Sequence, residues 1–313
     1  MAKRKVCYSG IGGQAVLEGI MMKNKERYAV AVRRADGTIV VRTDEYRGVG
    51  GESALKKLPF IRGVFNFADS LLLGTKTLNY SAGFFEEEDA EPSKLEAALE
   101  RRFGARTESV LMGLTTVISL LLAIGIFMLL PYLLTEFLRN YVRNSSLLAI
   151  IEGAARLLIF ILYILLISCM KDIRRVFMYH GAEHKCINCV EKGRPLTVDD
   201  VLRSSRQHKR CGTSFLLFVM LVSIVLFFFI RVENPLWRLG LRILLIPVIA
   251  GISYEIIRLA GRSDFFLVKL LSAPGLALQR LTTREPDAQM AEVAIAAVEA
   301  VFDWREYLWE NFG

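Results

Sequence analysis

Residues 110–130, VLMGLTTVISLLLAIGIFMLL, carry no charged side chain and run up to Pro131. The length matches the roughly 20 apolar residues that a helix needs to cross the hydrocarbon core of a bilayer. The stretch is therefore expected to be a membrane span stopped by the proline. Three similar stretches follow at residues 147–170, 213–230 and 236–257. The expected fold class is mainly α: a polytopic membrane protein with about four transmembrane helices, plus a small N-terminal β-hairpin and cytoplasmic amphipathic helices.

Charge orders these spans. The chain of 313 residues has a formal net charge of +8. No basic stripe is interleaved with aromatics, so no nucleic-acid partner is expected. The connections after the first span (Glu136, Arg139, Arg143) and after the third (Arg231, Glu233, Arg238) are short and nearly neutral. Lys and Arg instead crowd the loop between the second and third spans, from Lys171 to Arg210. Positive charge accumulates on the cytoplasmic side, which places that loop and both termini inside the cell. The N-terminus, MAKRKVCYSG, has no apolar core behind its charges and does not read as a signal peptide. Charges inside the spans lie near their ends: Glu152 and Arg156, Arg242, Glu255 and Arg258. They read first as snorkelling side chains or ion pairs.

Three regions follow. Residues 1–109 form a cytoplasmic N-terminal region. Its Gly-rich segment at 10–19 reads from its residues as a turn with close backbone packing. Two β-rich runs around Asp36-Gly37 predict a hairpin over 28–46. An amphipathic helix is expected over 58–83, on the membrane surface or against the bundle, and an acidic linker with a short helix over 86–108. Residues 110–262 form the four-span domain with its cytoplasmic loop 171–212. Residues 263–313 form a cytoplasmic helical tail, with an amphipathic stretch at 265–281, a turn at Glu285-Pro286-Asp287 and a last helix.

The chemistry lies in the basic loop. It holds all three histidines: His180 and His184 in YHGAEHKCINCVE (residues 179–191), and His208 in His208-Lys209-Arg210-Cys211. On a helix over 171–191, His180 and His184 share one face a turn apart, with Glu183 beside them. H-x-x-E-H is the order of the inverted zincins, in which the Glu is a general base. Thr197-Val198-Asp199-Asp200 reads as a capped helix start that could return the chain, bringing His208 to the other two. The donors offered are His180, His184 and His208 with Cys211, Cys189 or Glu183, and Cys186 beside them. This set suits Zn²⁺ best and Fe²⁺ next. Glu255 stands downstream, where a third protein ligand of the inverted-zincin type would fall. The simpler readings are imidazoles bonded to carbonyls and cysteines acting as buried small hydrophobes. A closed four-ligand site would be structural, an open one catalytic.

Four motifs carry a family resemblance: GGQAVLEGIMM (12–22), YHGAEHK (179–185), RCGTSF (210–215) and PGLALQRLTTREPD (274–287). They resemble the bacterial YqhQ family, a domain of unknown function (1385), over nearly the whole chain. The resemblance implies a multi-span protein of the bacterial plasma membrane, often described as a predicted metal-dependent enzyme. The resemblance implies that family members usually carry a small polar residue where this chain has Cys186, which leaves Cys189 and Cys211 as the preferred soft ligands. It also implies that residues 12–22 pack beside the His loop, with Gln14 and Glu18 near the metal. Two functions are then in view. One is a zinc-dependent hydrolase with Glu183 or Glu18 as base. The other is a non-enzymatic factor, with a structural metal or His/Cys cluster, that binds translocation or quality-control machinery in the bilayer or forms a homo-oligomer.

Overall fold

The structure, a computed structural model, describes residues 6–51, 53–85, 104, 107–230, 232, 234–262 and 265–313. The acidic linker and short helix expected before the first span lie outside the described residues. In chain order the strands are β1 (Ile11–Val16), β2 (Gly19–Asn24), β3 (Arg27–Arg33) and β4 (Ile39–Glu45). The helices are α1 (Ile61–Ala82), α2 (Thr107–Ile124), α3 (Leu130–Leu138), α4 (Ser145–Ile167), α5 (Lys171–Glu191) and α6 (Val198–Leu202). They continue with α7 (Gly212–Phe229), α8 (Pro235–Leu244), α9 (Ile246–Arg262), α10 (Phe266–Thr282), α11 (Ala288–Glu299) and α12 (Trp304–Phe312). Two compact units result: Met1–Phe85 with Ile164–Val225 and Val232–Gly313, and Glu86–Tyr163 with Leu226–Arg231.

Four helical stretches are long and apolar enough to cross a membrane: Gly113–Leu138, Ser145–Ile167, Gly212–Phe229 and Trp237–Gly261. Leu121, Leu166 and Phe229 are 62%, 70% and 73% exposed. Apolar surface on that scale needs lipid to cover it. Pro131 does not end the first span as expected. Gly125–Leu129 form a π-turn, in which Leu130 N–H donates to Gly125 O, and the helix runs on to Leu138. The wider turn makes room for a residue that lacks an N–H and crowds the carbonyl four residues back. Within this unit, Arg156 donates to Glu152 at 3.0 Å and lies over the Phe227 ring, so this intramembrane pair is an ion pair.

The larger unit is built on an antiparallel sheet in the order β1-β2-β3-β4. The hairpin expected at Asp36-Gly37 is β3–β4. Gly37 takes φ +86°, and Asp36 Oδ1 accepts from Thr38 N and Oγ1. The Gly-rich segment has the expected turn and close packing, but most of it is strand. It supplies β1, which pairs with β2 across a tight turn at Leu17-Glu18. The sheet is covered on both faces. Ile20, Met22, Ala29 and Ala31 join the core of α5 and α11, while Val16, Met21, Tyr28, Val30 and Val32 pack on Leu73 of α1. A two-sided sheet explains why β3 is apolar almost throughout.

Close approach explains the glycine in β1. A Cβ at Gly13 would lie 2.8 Å from Met22 Sδ and 2.9 Å from Glu183 Cγ. The other end of α1 crosses α9 at small residues, where a Cβ on Gly63 would come within 2.9 Å of Gly251 Cα.

At the centre of this unit lies α5, whose residues 181–191 are all buried. Gly181 sits in a helix at an intrinsic cost of about 1 kcal/mol relative to Ala. The reason is tertiary: a Cβ there would lie 2.0 Å from Arg284 O, in the extended segment that follows α10. Gly181→Ala is therefore expected to destabilise the protein by about 1–3 kcal/mol despite better helix propensity. Thermal unfolding in detergent measures this, and an unchanged or higher Tm would refute it.

Candidate metal centre

Two of α5's side chains meet one residue from the far end of the loop. His180, His184 and Cys211 each bring one donor atom, all within 4.8 Å of one another. His180 Nε2 is 3.2 Å from Cys211 Sγ, and the two imidazole centroids are 4.4 Å apart. The i, i+4 spacing sets the histidines on one face, as the sequence implied. Cys211 comes from the residue just before α7.

The outer nitrogens of both rings are engaged. His180 Nδ1 is 2.8 Å from Thr282 O, and His184 Nδ1 is 2.7 Å from Arg206 O. A carbonyl only accepts, so each Nδ1 carries a proton and each Nε2 is the nitrogen left to meet a metal. Metal-binding histidines are oriented in this way. The carbonyl bonds of the simpler reading are thus present, and they leave the inner nitrogens free to act as donors.

Polar side chains of α5 return Cys211 to this place. Lys185 Nζ donates to Leu202 O and Ser204 O, at 2.7 and 2.9 Å. Asn188 Nδ2 donates to Ser205 O and Gln207 O. The expected Thr197 cap is present: its hydroxyl accepts from Asp200 N and starts α6. Gln279 of α10 then grips His208 through both backbone groups and also donates to Ser214 Oγ. These clamps were not legible beforehand. Backbone carbonyls leave no trace in a sequence, and Gln279 stood only within a family motif.

Electrostatics favours the donor form of Cys211, the thiolate. Burial would raise the Cys211 thiol, but the charges of His180 and His184 outweigh it and bring the thiol well below its usual value. Burial would lower His180, but the Cys211 charge reverses this and lifts the imidazole to about 9. A metal bound here would take the place of the second His180 proton beside the Cys211 sulfur. Glu183 lies against β1 at Gly13, 5% exposed, and burial raises its carboxyl. Its Oε2 is buried with no hydrogen-bond partner among the described residues. An orphaned buried oxygen of this kind calls for a water or an ion, so the residues present fit a metal centre.

The other expected site residues have other partners. The His208 ring is 5.7 Å from that of His184, and its Nε2 faces Glu191 Oε2 at 3.5 Å. Cys189 Sγ donates to Pro195 O at 3.2 Å. Cys186 is a buried member of the core. Glu18, in the β1–β2 turn, pairs with Arg175 and accepts from Tyr179 Oη. Gln14 lies against Gly74 of α1, on the strand face opposite Gly13. Glu255 pairs with Arg62, whose Nε donates to it at 2.6 Å.

Glu191 is a site residue without a signal of its own. It accepts from Ser9 N and Oγ, pairs with Arg210 and faces His208, tying the N-terminal segment to the loop. Burial would raise its carboxyl, but the His208 hydrogen bond and the Arg210 charge outweigh this and hold it down at about 2. A depressed carboxyl stabilises the fold above its unfolded value of about 4.5, and that stability is lost as pH falls towards 2. Glu191→Gln should therefore cost about 3 kcal/mol at neutral pH and flatten the acid limb of the stability profile between about pH 4.5 and 2. Unfolding measured across pH tests this, and an unchanged acid limb would refute it.

A family model described as a protein of unknown function, DUF1385, matches residues 58–304. The uncharacterized protein YqhQ of Bacillus subtilis (strain 168) is 38% identical over 297 residues, covering 94% of this chain and 92% of that protein. No solved structure matches the chain. The matched region contains His180, Glu183, His184, Cys211 and Thr282, and the chain belongs to the DUF1385 family of proteins of unknown function.

Proposed function

We propose that His180, His184 and Cys211 hold a Zn²⁺ ion, and that the chain is a metal-dependent hydrolase of the bacterial plasma membrane. The observation that carries this reading is the convergence of three donors within 4.8 Å, with both Nδ1 atoms capped by carbonyls. Two imidazoles and a thiolate suit Zn²⁺ first and Fe²⁺ second, and three protein donors are the number found in catalytic zinc sites. Zinc bound there would supply a Lewis acid. Glu183 is the proton acceptor, because its buried Oε2 has no other partner among the described residues and burial favours its protonated form. Glu18 is set aside as the base because Arg175 occupies its carboxylate. The basic loop supports a cytoplasmic location for the site, with both termini on the same side.

Elemental mass spectrometry on protein purified in detergent without chelators tests the reading. The expected result is about one equivalent of zinc, lost in His180→Ala/His184→Ala and kept in Glu183→Gln and His208→Ala. Iron at the same stoichiometry would support the site with the second metal. Wild-type protein without metal would overturn it.

The burial of the cluster favours a second reading: His184 and Cys211 are only 1% and 4% exposed. A closed cluster would staple the loop of a non-enzymatic factor that binds translocation or quality-control machinery, or a second copy of the chain. A site saturated by protein ligands alone, together with a stable partner recovered from the membrane, would select it.

A further inference from the structure

We propose that the cleft beyond the C-terminal end of α5 binds a phosphate-bearing ligand. Its volume is about 640 Å³, within the range of small-molecule sites. Lys192, Arg194 and Arg203 line it, with Phe312 as an apolar wall. Its one carboxylate, Asp200, is already engaged by the Thr197 hydroxyl at 3.0 Å in the cap of α6. The cleft thus presents three cations against one occupied acid.

These three cations differ from four others of the same loop, which are paired. Elsewhere in the same loop, Arg175 pairs with Glu18, Lys185 and Arg206 with Glu285, and Arg210 with Glu191. Lys192, Arg194 and Arg203 make no ion pair among the described residues. Unpaired like charges gathered in a concave site repel one another and focus a positive field, which an anion relieves. Two guanidinium forks and an ammonium match the oxygens of a phosphate ester.

The walls are built rather than loose. Arg194 N donates to Cys189 O, and Cys189 Sγ donates to Pro195 O. Gly193 takes φ +69° and packs so close to Phe312 that a Cβ would lie 2.7 Å from the ring. Cys189 therefore anchors the rim of this cleft. Lys192 lies about 12 Å along the helix direction from His184, at 1.5 Å per residue, so this proposal stands independently of the metal centre.

A soluble phosphate compound and an anionic lipid headgroup share this chemistry. Titration and native mass spectrometry of the full chain in detergent distinguish them, with inorganic pyrophosphate as one probe and phosphatidylglycerol as the other. The expected result is saturable binding of one probe at about one per chain, weakened roughly tenfold or more in Arg194→Ala/Arg203→Ala. Arg305→Ala, whose side chain is exposed on α12, should bind normally, and so should His180→Ala/His184→Ala, which removes pyrophosphate capture by a metal as the cause. Thermal unfolding of the double arginine variant confirms that it remains folded. Binding of pyrophosphate identifies a soluble ligand, and binding of phosphatidylglycerol identifies a headgroup. Failure of both probes, or binding unchanged in the double variant, would overturn the proposal.

Discussion

A helical segment buried on every side that carries charged and polar residues imposes a severe constraint, and residues 181–191 of α5 form such a segment. Glu183, His184, Lys185, Asn188 and Glu191 are all at most 8% exposed. Each buried polar group left without a partner costs about 1–3 kcal/mol. The chain meets this demand by wrapping α5 with segments distant in sequence. The 202–207 loop lends its carbonyls to His184, Lys185 and Asn188, and the end of α10 lends Thr282 O to His180. Ser9 and Arg210 meet Glu191. The sheet closes the remaining side through Gly13 and Met22. The fold of the larger unit is in this sense the set of partners that one polar helix requires.

One buried oxygen is outside that arrangement, Glu183 Oε2, and it belongs to the residue between the two histidines. The same carbonyl bonds that satisfy the outer nitrogens of His180 and His184 turn their inner nitrogens towards Cys211. Structural demand and donor geometry therefore have a common origin. A single displacement of the α10 end or of the 202–207 loop would disturb both. Gly181 and Gly13 carry no chemistry themselves, yet they permit the contacts that hold the site: one admits the Arg284 carbonyl, the other the Glu183 side chain.

Much of this was legible in the sequence, for identifiable reasons. Long apolar runs reveal the spans because nothing but lipid tolerates them. The Asp36-Gly37 turn and the i, i+4 histidines are local signals, and local geometry follows directly from chain order. Pro131 misled because a π-turn just before it accommodates the ring. The Gly-rich segment misled because β1 is a strand of small residues, and smallness there answers to a helix more than 160 residues away. His208 was grouped with the other two histidines by its place in one loop, whereas the fold gives its ring nitrogen to Glu191. Among the described residues Cys211 completes the donor triad, and chain order could not choose it over Cys189, since both lie in the same loop.

X-ray absorption at the zinc edge on the purified full chain tests the central claim most directly, because it reads the donors themselves. The expected spectrum has one sulfur at about 2.3 Å and two imidazole nitrogens at about 2.0 Å, with the bound zinc itself lost in His180→Ala/His184→Ala. A shell without sulfur, a shell of several sulfurs, or a spectrum indifferent to the two histidines would contradict a centre made by His180, His184 and Cys211.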